Sequence, residues 1–142
     1  MSIDLEIARA VIAAARTKAG DEGFNALTVV VLDVGGHVVA AEREDGSSIG
    51  RFEIAFGKAH GALALGMGSR AIMARAEQQA YFVAAASAAV GGRLIPVPGG
   101  VLVRDAAGIV VGAVGVSGET SDNDERAAVS GIEAVGLVAD GG

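Results

Sequence analysis

Apolar positions recur at two different periods along this chain, and the switches between them mark its elements. Leu5, Ala8, Ile12 and Ala15 share one face of a helix predicted from Ile3 to Ala19. Ser2 is placed to cap that helix, Asp4 and Glu6 lie near the positive end of its dipole, and Gly20 is expected to stop it. Leu27 to Leu32 is β-branched and almost continuously apolar, the pattern of a well-covered central strand. "DVGG" then turns the chain, with Gly35 and Gly36 free to take positive φ, and His37 to Arg43 returns as a second strand.

Helical spacing resumes from Gly50 to Leu65, where Phe52, Phe56, Ala59 and Leu63 form the apolar stripe. Gly57 and Gly61 lie inside this helix, and each costs roughly 1 kcal/mol against alanine. Close approach of another backbone would explain both. "GMGS" breaks the helix, and Ser69 can cap a further helical stretch that holds a break near Gln79. In "VGGRLIPVPGG", Pro96 and Pro98 remove two ladder donors, so this piece is a loop with a short extended segment. "VLV", the turn "RDAAG" and "IVVGAVGVSG" make a second hairpin. A last helix is expected from Asp122 to Val138, with Ser121 as its N-cap and Asp124 completing a variant of the capping box. Helix, two strands, two helices, two or three strands and a helix is an α+β order with mainly antiparallel pairing. No "GxGxxG" opens a helix after the first strand, so a dinucleotide fold is not indicated.

Composition narrows the chemistry. The 142 residues suit one domain, 1–142, with a core that needs no staples. There are no cysteines, which excludes thiol catalysis, disulfides and thiolate metal sites. A formal net charge of -6, no tryptophan and a single tyrosine argue against nucleic acid as a partner. Hydrophobic residues reach 51%, yet the most lipid-like run, "AYFVAAASAAV", is too short to span a bilayer. No membrane partner is expected. The start "MSIDLEIARA" lacks a basic region and does not read as a signal peptide, so the expected location is cytoplasmic. The apolar surplus points to self-association.

The reactive candidates cluster in "EIAFGKAHGA", which holds Glu53, Lys58 and His60. His60 shares a helix face with Phe56 and suits an iron ligand, a base or a helix end. Lys58, in a small apolar helix, suits an anionic group such as a propionate, or a snorkelling surface position. Arg43, Glu44 and Asp45 end a strand before "GSS", and either line the same mouth or are solvated loop residues. His37 lies at a tight turn, where exposure is the ordinary outcome. Gly112, Gly115 and Gly118 keep one side of their strand bare, open to a flat ligand or a partner surface.

Together, "LTVVVLDVGGHVVAAEREDG", "IAFGKAHGA", "GGRLIPV" and "GIVVGAVGVSGETSDNDERAAVSGI" resemble the GlcG/HbpS family, also called haem-binding-protein-like or PduO C-terminal-like. The resemblance covers almost the whole chain. It implies a profilin-like α+β domain and homo-oligomers from dimers to octamers. Some members bind or degrade haem, some are fused to corrinoid adenosyltransferase domains, and others accompany glycolate oxidation. Carried over by position, the "GKA" lysine is Lys58, the "GVSG" corner runs from Gly115 to Gly118, and the acid after it is Asp124. The loop glycines are Gly91 and Gly92. The first-helix histidine of some members has no counterpart here, so His60 is the candidate metal ligand.

Two functions follow as expectations. In one, the chain binds haem or a similar planar anionic cofactor, with Lys58, His60, Gly115 and Gly118 as contacts. In the other, it is a metal-independent enzyme for a small organic acid or carbonyl compound. Lys58, His60 and Asp124 are then catalytic, with Glu53 as a further proton carrier.

Overall fold

The computed structural model describes residues 1–142. The elements in order are α1 (Leu5–Glu22), β1 (Thr28–Leu32), β2 (Val38–Arg43), α2 (Arg51–Leu65), α3 (Ser69–Gln78) and α4 (Ala80–Ala89). They continue with β3 (Gly100–Arg104), β4 (Val110–Ser117), α5 (Ser121–Ala134) and β5 (Val138–Asp140). One five-stranded sheet runs in the order β2-β1-β4-β3-β5, and every pairing is antiparallel. This is the α+β architecture that the element order predicts.

Helices cover both faces of the sheet. Period-two alternation sends Val29, Val31, Val101, Val103, Val114 and Val116 to one face, against α1 and α5. Val30, Leu32, Leu102 and Ala113 turn to the other face, against Ala55, Ala59 and Ala62 of α2. All five residues of β1 are buried, as its unbroken apolar run requires. The α3–α4 pair packs beside α2 over a small third core of Ile72, Val83 and Leu94.

Helix α2 lies close to the sheet because glycines face it. Gly115 of β4 and Gly100 of β3 sit beneath it, and a Cβ on Gly115 would overlap the Ala55 carbonyl oxygen. The two glycines within α2 serve the other flank. A Cβ on Gly57 would meet Ile95, and one on Gly61 would lie 2.9 Å from the Leu94 side chain. The loop before β3 is laid against α2 there, and the Ile95 amide donates to the Gly57 carbonyl at 3.2 Å.

Several boundaries differ from the sequence reading. Asp4, not Ser2, caps α1, accepting from the Ile7 amide at 2.9 Å. Gly20 does not stop that helix, which continues to Glu22 and closes on Gly23 at φ +69°. Only Gly36 of the "DVGG" pair takes positive φ. Helix α5 ends at Ala134, and the residues beyond it form β5, which pairs with the open edge of β3. The N-cap of α5 is Thr120 rather than Ser121, and its side chain accepts from the Asn123 amide at 3.2 Å. Thr120→Ala is therefore expected to cost about 1 kcal/mol, while Ser121→Ala stays near neutral. Urea denaturation of both variants checks the assignment, and a larger loss from Ser121→Ala would reverse it.

Candidate functional site

Helix α2 carries both principal candidates, but it points them in different directions. Lys58 faces inward and is 2% exposed; Asp124, in the first turn of α5, is 1% exposed. The Lys58 ammonium donates to Asp124 Oδ2 at 2.9 Å and to the Val116 carbonyl at 2.9 Å. The second carboxylate oxygen of Asp124 accepts from the Glu119 amide at 2.9 Å. One ion pair thus ties α2 on one side of the sheet to α5 on the other.

Gly99 makes room for this link. It sits at φ +120°, and a Cβ there would lie 2.9 Å from the Lys58 ammonium and 2.8 Å from the Val116 carbonyl oxygen. Burial pushes the Lys58 ammonium down from its ordinary range, opposed by the adjacent Asp124 charge. Burial likewise pushes the Asp124 carboxyl up, opposed by Lys58. A buried charge is tolerable when it is paired and hydrogen-bonded, and no buried side-chain polar atom here lacks a partner.

His60 leaves α2 toward the outside. Its Nδ1 lies 3.0 Å from the Arg93 carbonyl, so that nitrogen carries the proton and donates. In the neutral tautomer this leaves the lone pair on Nε2, which lies at the β1–β2 turn, where a Cβ on Gly36 would sit 3.4 Å away. The ring stacks on Phe56 at 5.5 Å between centroids, and Phe56 stacks on Phe52 at 6.0 Å. A half-buried aromatic stripe therefore runs along α2 and ends on an imidazole whose second nitrogen is anchored. An imidazole held this way is oriented to ligate a metal through Nε2.

The expected cluster of Lys58, His60 and Asp124 does not form. Lys58 and Asp124 meet inside the fold, while His60 meets Arg93 and Phe56 on the opposite side of α2. Lys58 as a partner for a ligand's anion is corrected by this geometry, because its charge is already engaged and shielded from water. Gly115 and Gly118 as ligand contacts are corrected too. The space beside Gly115 is filled by α2, and that beside Gly118 by the Ala26–Leu27 backbone. Gly118 does take the positive φ expected of it, at +147°.

Glu53 is exposed on the first turn of α2. The His37 side chain is 82% exposed beside Asp33. Gly91 and Gly92 turn the chain after α4 with positive φ. Sequence reasoning missed Gly36, Arg93 and Gly99 as supports of these groups. Only the "VGG" and "PGG" turns hinted at them, since a carbonyl or a missing Cβ acquires its role from what folds onto it.

The chain has one groove, of about 350 Å³, between α1 and α5. Lys18, Glu125, Arg126, Ser130 and Glu133 line it with Val129 as its single apolar residue, so it is no apolar ligand pocket. No three His, Asp or Glu side chains converge as a metal cluster. No helix is long and apolar enough to cross a membrane.

Comparison with solved structures places the fold. The Klebsiella pneumoniae protein ORFY is 27% identical, with a TM-score of 0.82 over 94% of this chain and 90% of that one. A Streptomyces reticuli HbpS double mutant is 26% identical, with a TM-score of 0.80 over 95% and 88%. A PduOC:haem complex shares the fold at a TM-score of 0.86 over 96% and 97%, with 20% identity. No curated protein sequence matches the chain. The family model described as haem degrading protein HbpS-like matches residues 3–133, and the chain belongs to that HbpS-like family.

Proposed function

We propose that this chain is a haem-binding module in which His60 supplies the iron ligand. The observation that carries this reading is the Arg93 carbonyl on His60 Nδ1, which leaves Nε2 as the ligating nitrogen. Family membership and the PduOC:haem complex of the same fold support the cofactor class. The stripe of Phe52 and Phe56 provides apolar surface beside the imidazole. A bound haem would supply iron-centred redox chemistry; the protein's own part is to orient the imidazole and exclude water.

A single chain offers no apolar pocket that encloses a porphyrin. We therefore place the haem against the outer side of α2, covered by a second copy of the chain. Light scattering across a dilution series tests the assembly, and a mass of one chain at every concentration would reject it.

Hemin titration followed by visible spectroscopy tests the binding. A saturable Soret change is expected, and its absence at stoichiometric protein would reject the module. His60→Ala should weaken binding by more than about tenfold, since losing a ligand costs at least as much as losing a supporting group. Unchanged binding in that variant would remove His60 as the ligand.

A further inference from the structure

Most basic side chains of this acidic protein are neutralised internally. Arg16, Arg70, Arg104, Arg126, Lys18 and Lys58 all form ion pairs. Arg9, Arg43, Arg51, Arg75 and Arg93 form none, and of these Arg43 and Arg51 lie at the same end of the sheet. Arg43 ends β2, where it pairs with Thr28 of β1; Thr28 in turn pairs with Ser117 of β4. The three side chains therefore form a row across neighbouring strands, on the face that α2 covers.

A backbone carbonyl holds one guanidinium group and a buried hydroxyl the other. The Thr28 and Ser47 hydroxyls share a hydrogen bond at 2.8 Å. Arg43 Nη1 donates to the Ser47 carbonyl at 3.0 Å, and Arg51 Nη1 donates to Ser117 Oγ at 3.1 Å. Thr28 and Ser117 are fully buried, whereas Arg43 is exposed and Arg51 half-buried. Each guanidinium thus uses one of its five N–H donors on this polar floor and keeps the others.

No acid forms an ion pair with either arginine. Glu44 is taken by the Leu27 amide and Arg16, and Glu119 by the Asn25 amide. Asp45 and Glu53 pair with neither arginine.

We propose that Arg43 and Arg51 form a binding site for a small oxyanion, the carboxylate or phosphate group of a compact solute. The two guanidinium groups reach it from opposite sides of Thr28, and planar N–H forks suit either oxyanion. The site is at the N-terminal end of α2. Helix rise puts it roughly 14 Å from His60.

Amide NMR titration of the haem-free protein tests the site, using sodium phosphate and sodium malonate separately at constant ionic strength. Saturable shifts are expected at Thr28, Ser47, Arg51 and Ser117 with at least one probe. The probe that saturates identifies phosphate or carboxylate as the preferred group. Arg43→Gln should weaken that binding about tenfold, the loss expected for a charge-assisted hydrogen bond. Arg51→Gln should do the same, and because Arg43 is exposed, its variant decides the question if Arg51→Gln fails to fold. Absence of saturation with both probes would overturn the proposal. So would equal affinity in folded Arg43→Gln, or saturation confined to residues elsewhere.

Discussion

Asp124→Ala is expected to lower the unfolding free energy by about 3–5 kcal/mol, the range for breaking a buried ion pair from one side. The Lys58 ammonium would remain almost fully buried, with the Val116 carbonyl as its one remaining partner. The Glu119 amide would lose its acceptor at the same time. A loss of that size is a large part of the roughly 5–15 kcal/mol that holds a domain of ordinary stability. The double variant Lys58→Met/Asp124→Leu should recover much of the loss, because it removes both charges and keeps the volume. Asp124→Asn separates charge from hydrogen bonding. It can still accept from Glu119, so its remaining loss reports the unpaired ammonium. Urea unfolding of the three variants measures these values. A cost below about 1 kcal/mol for Asp124→Ala, within the range of an exposed pair, would show that the pair does not bind the two layers.

Gly115→Val is expected to cost about 3 kcal/mol or more, at the upper end of overpacking losses. Valine suits a strand, so propensity favours the change and the loss isolates the contact. A Cβ there falls on the Ala55 carbonyl oxygen and 3.1 Å from the Ala59 side chain. These are main chain and a methyl group, and neither can swing aside as a long side chain would. Helix α2 must move off the sheet, and His60 moves with it. The variant should therefore lose thermal stability and haem affinity together. Gly20→Ala is the matched control, because a Cβ at Gly20 meets nothing within 4 Å. That change, in a helix interior, should stabilise by roughly 0.5–1 kcal/mol. A Gly115→Val protein as stable as its parent would show that α2 is not seated on this glycine.

Most of the fold was legible because its cause is local. The apolar run at Leu27–Leu32, the "DVGG" turn and the Phe52–Phe56 spacing state their elements within a few residues. The break near Gln79 was legible too, and the chain leaves helical geometry there at φ -139°, ψ 63°. What failed was also local in form but distant in cause. "VAD" is too short to announce a strand, and β5 exists because β3 presents an open edge. By residue type Ser121 is a slightly better cap than Thr120, which is the one used. Thr120 caps α5 while Asp124 is engaged by Lys58 and the Glu119 amide.

The candidate site divides along the same line. Residue type and spacing singled out Lys58, His60 and Asp124, and put His60 on the Phe56 face of its helix. They could not say that Lys58 turns inward to meet an acid 66 residues later, because that meeting requires α2 and α5 to lie on opposite faces of one sheet. Nor could they give the His60 ring its proton. That depends on the Arg93 carbonyl, brought to α2 by a loop that packs on Gly57 and Gly61. By itself the sequence determined the helices, the strands other than β5, the hairpin turns and the glycine-backed surfaces, each set by periodicity and backbone freedom over a few residues. Only the tertiary structure decided which of those surfaces meet. Burial then turned one candidate lysine into a strut, and the Arg93 carbonyl anchored the one candidate histidine.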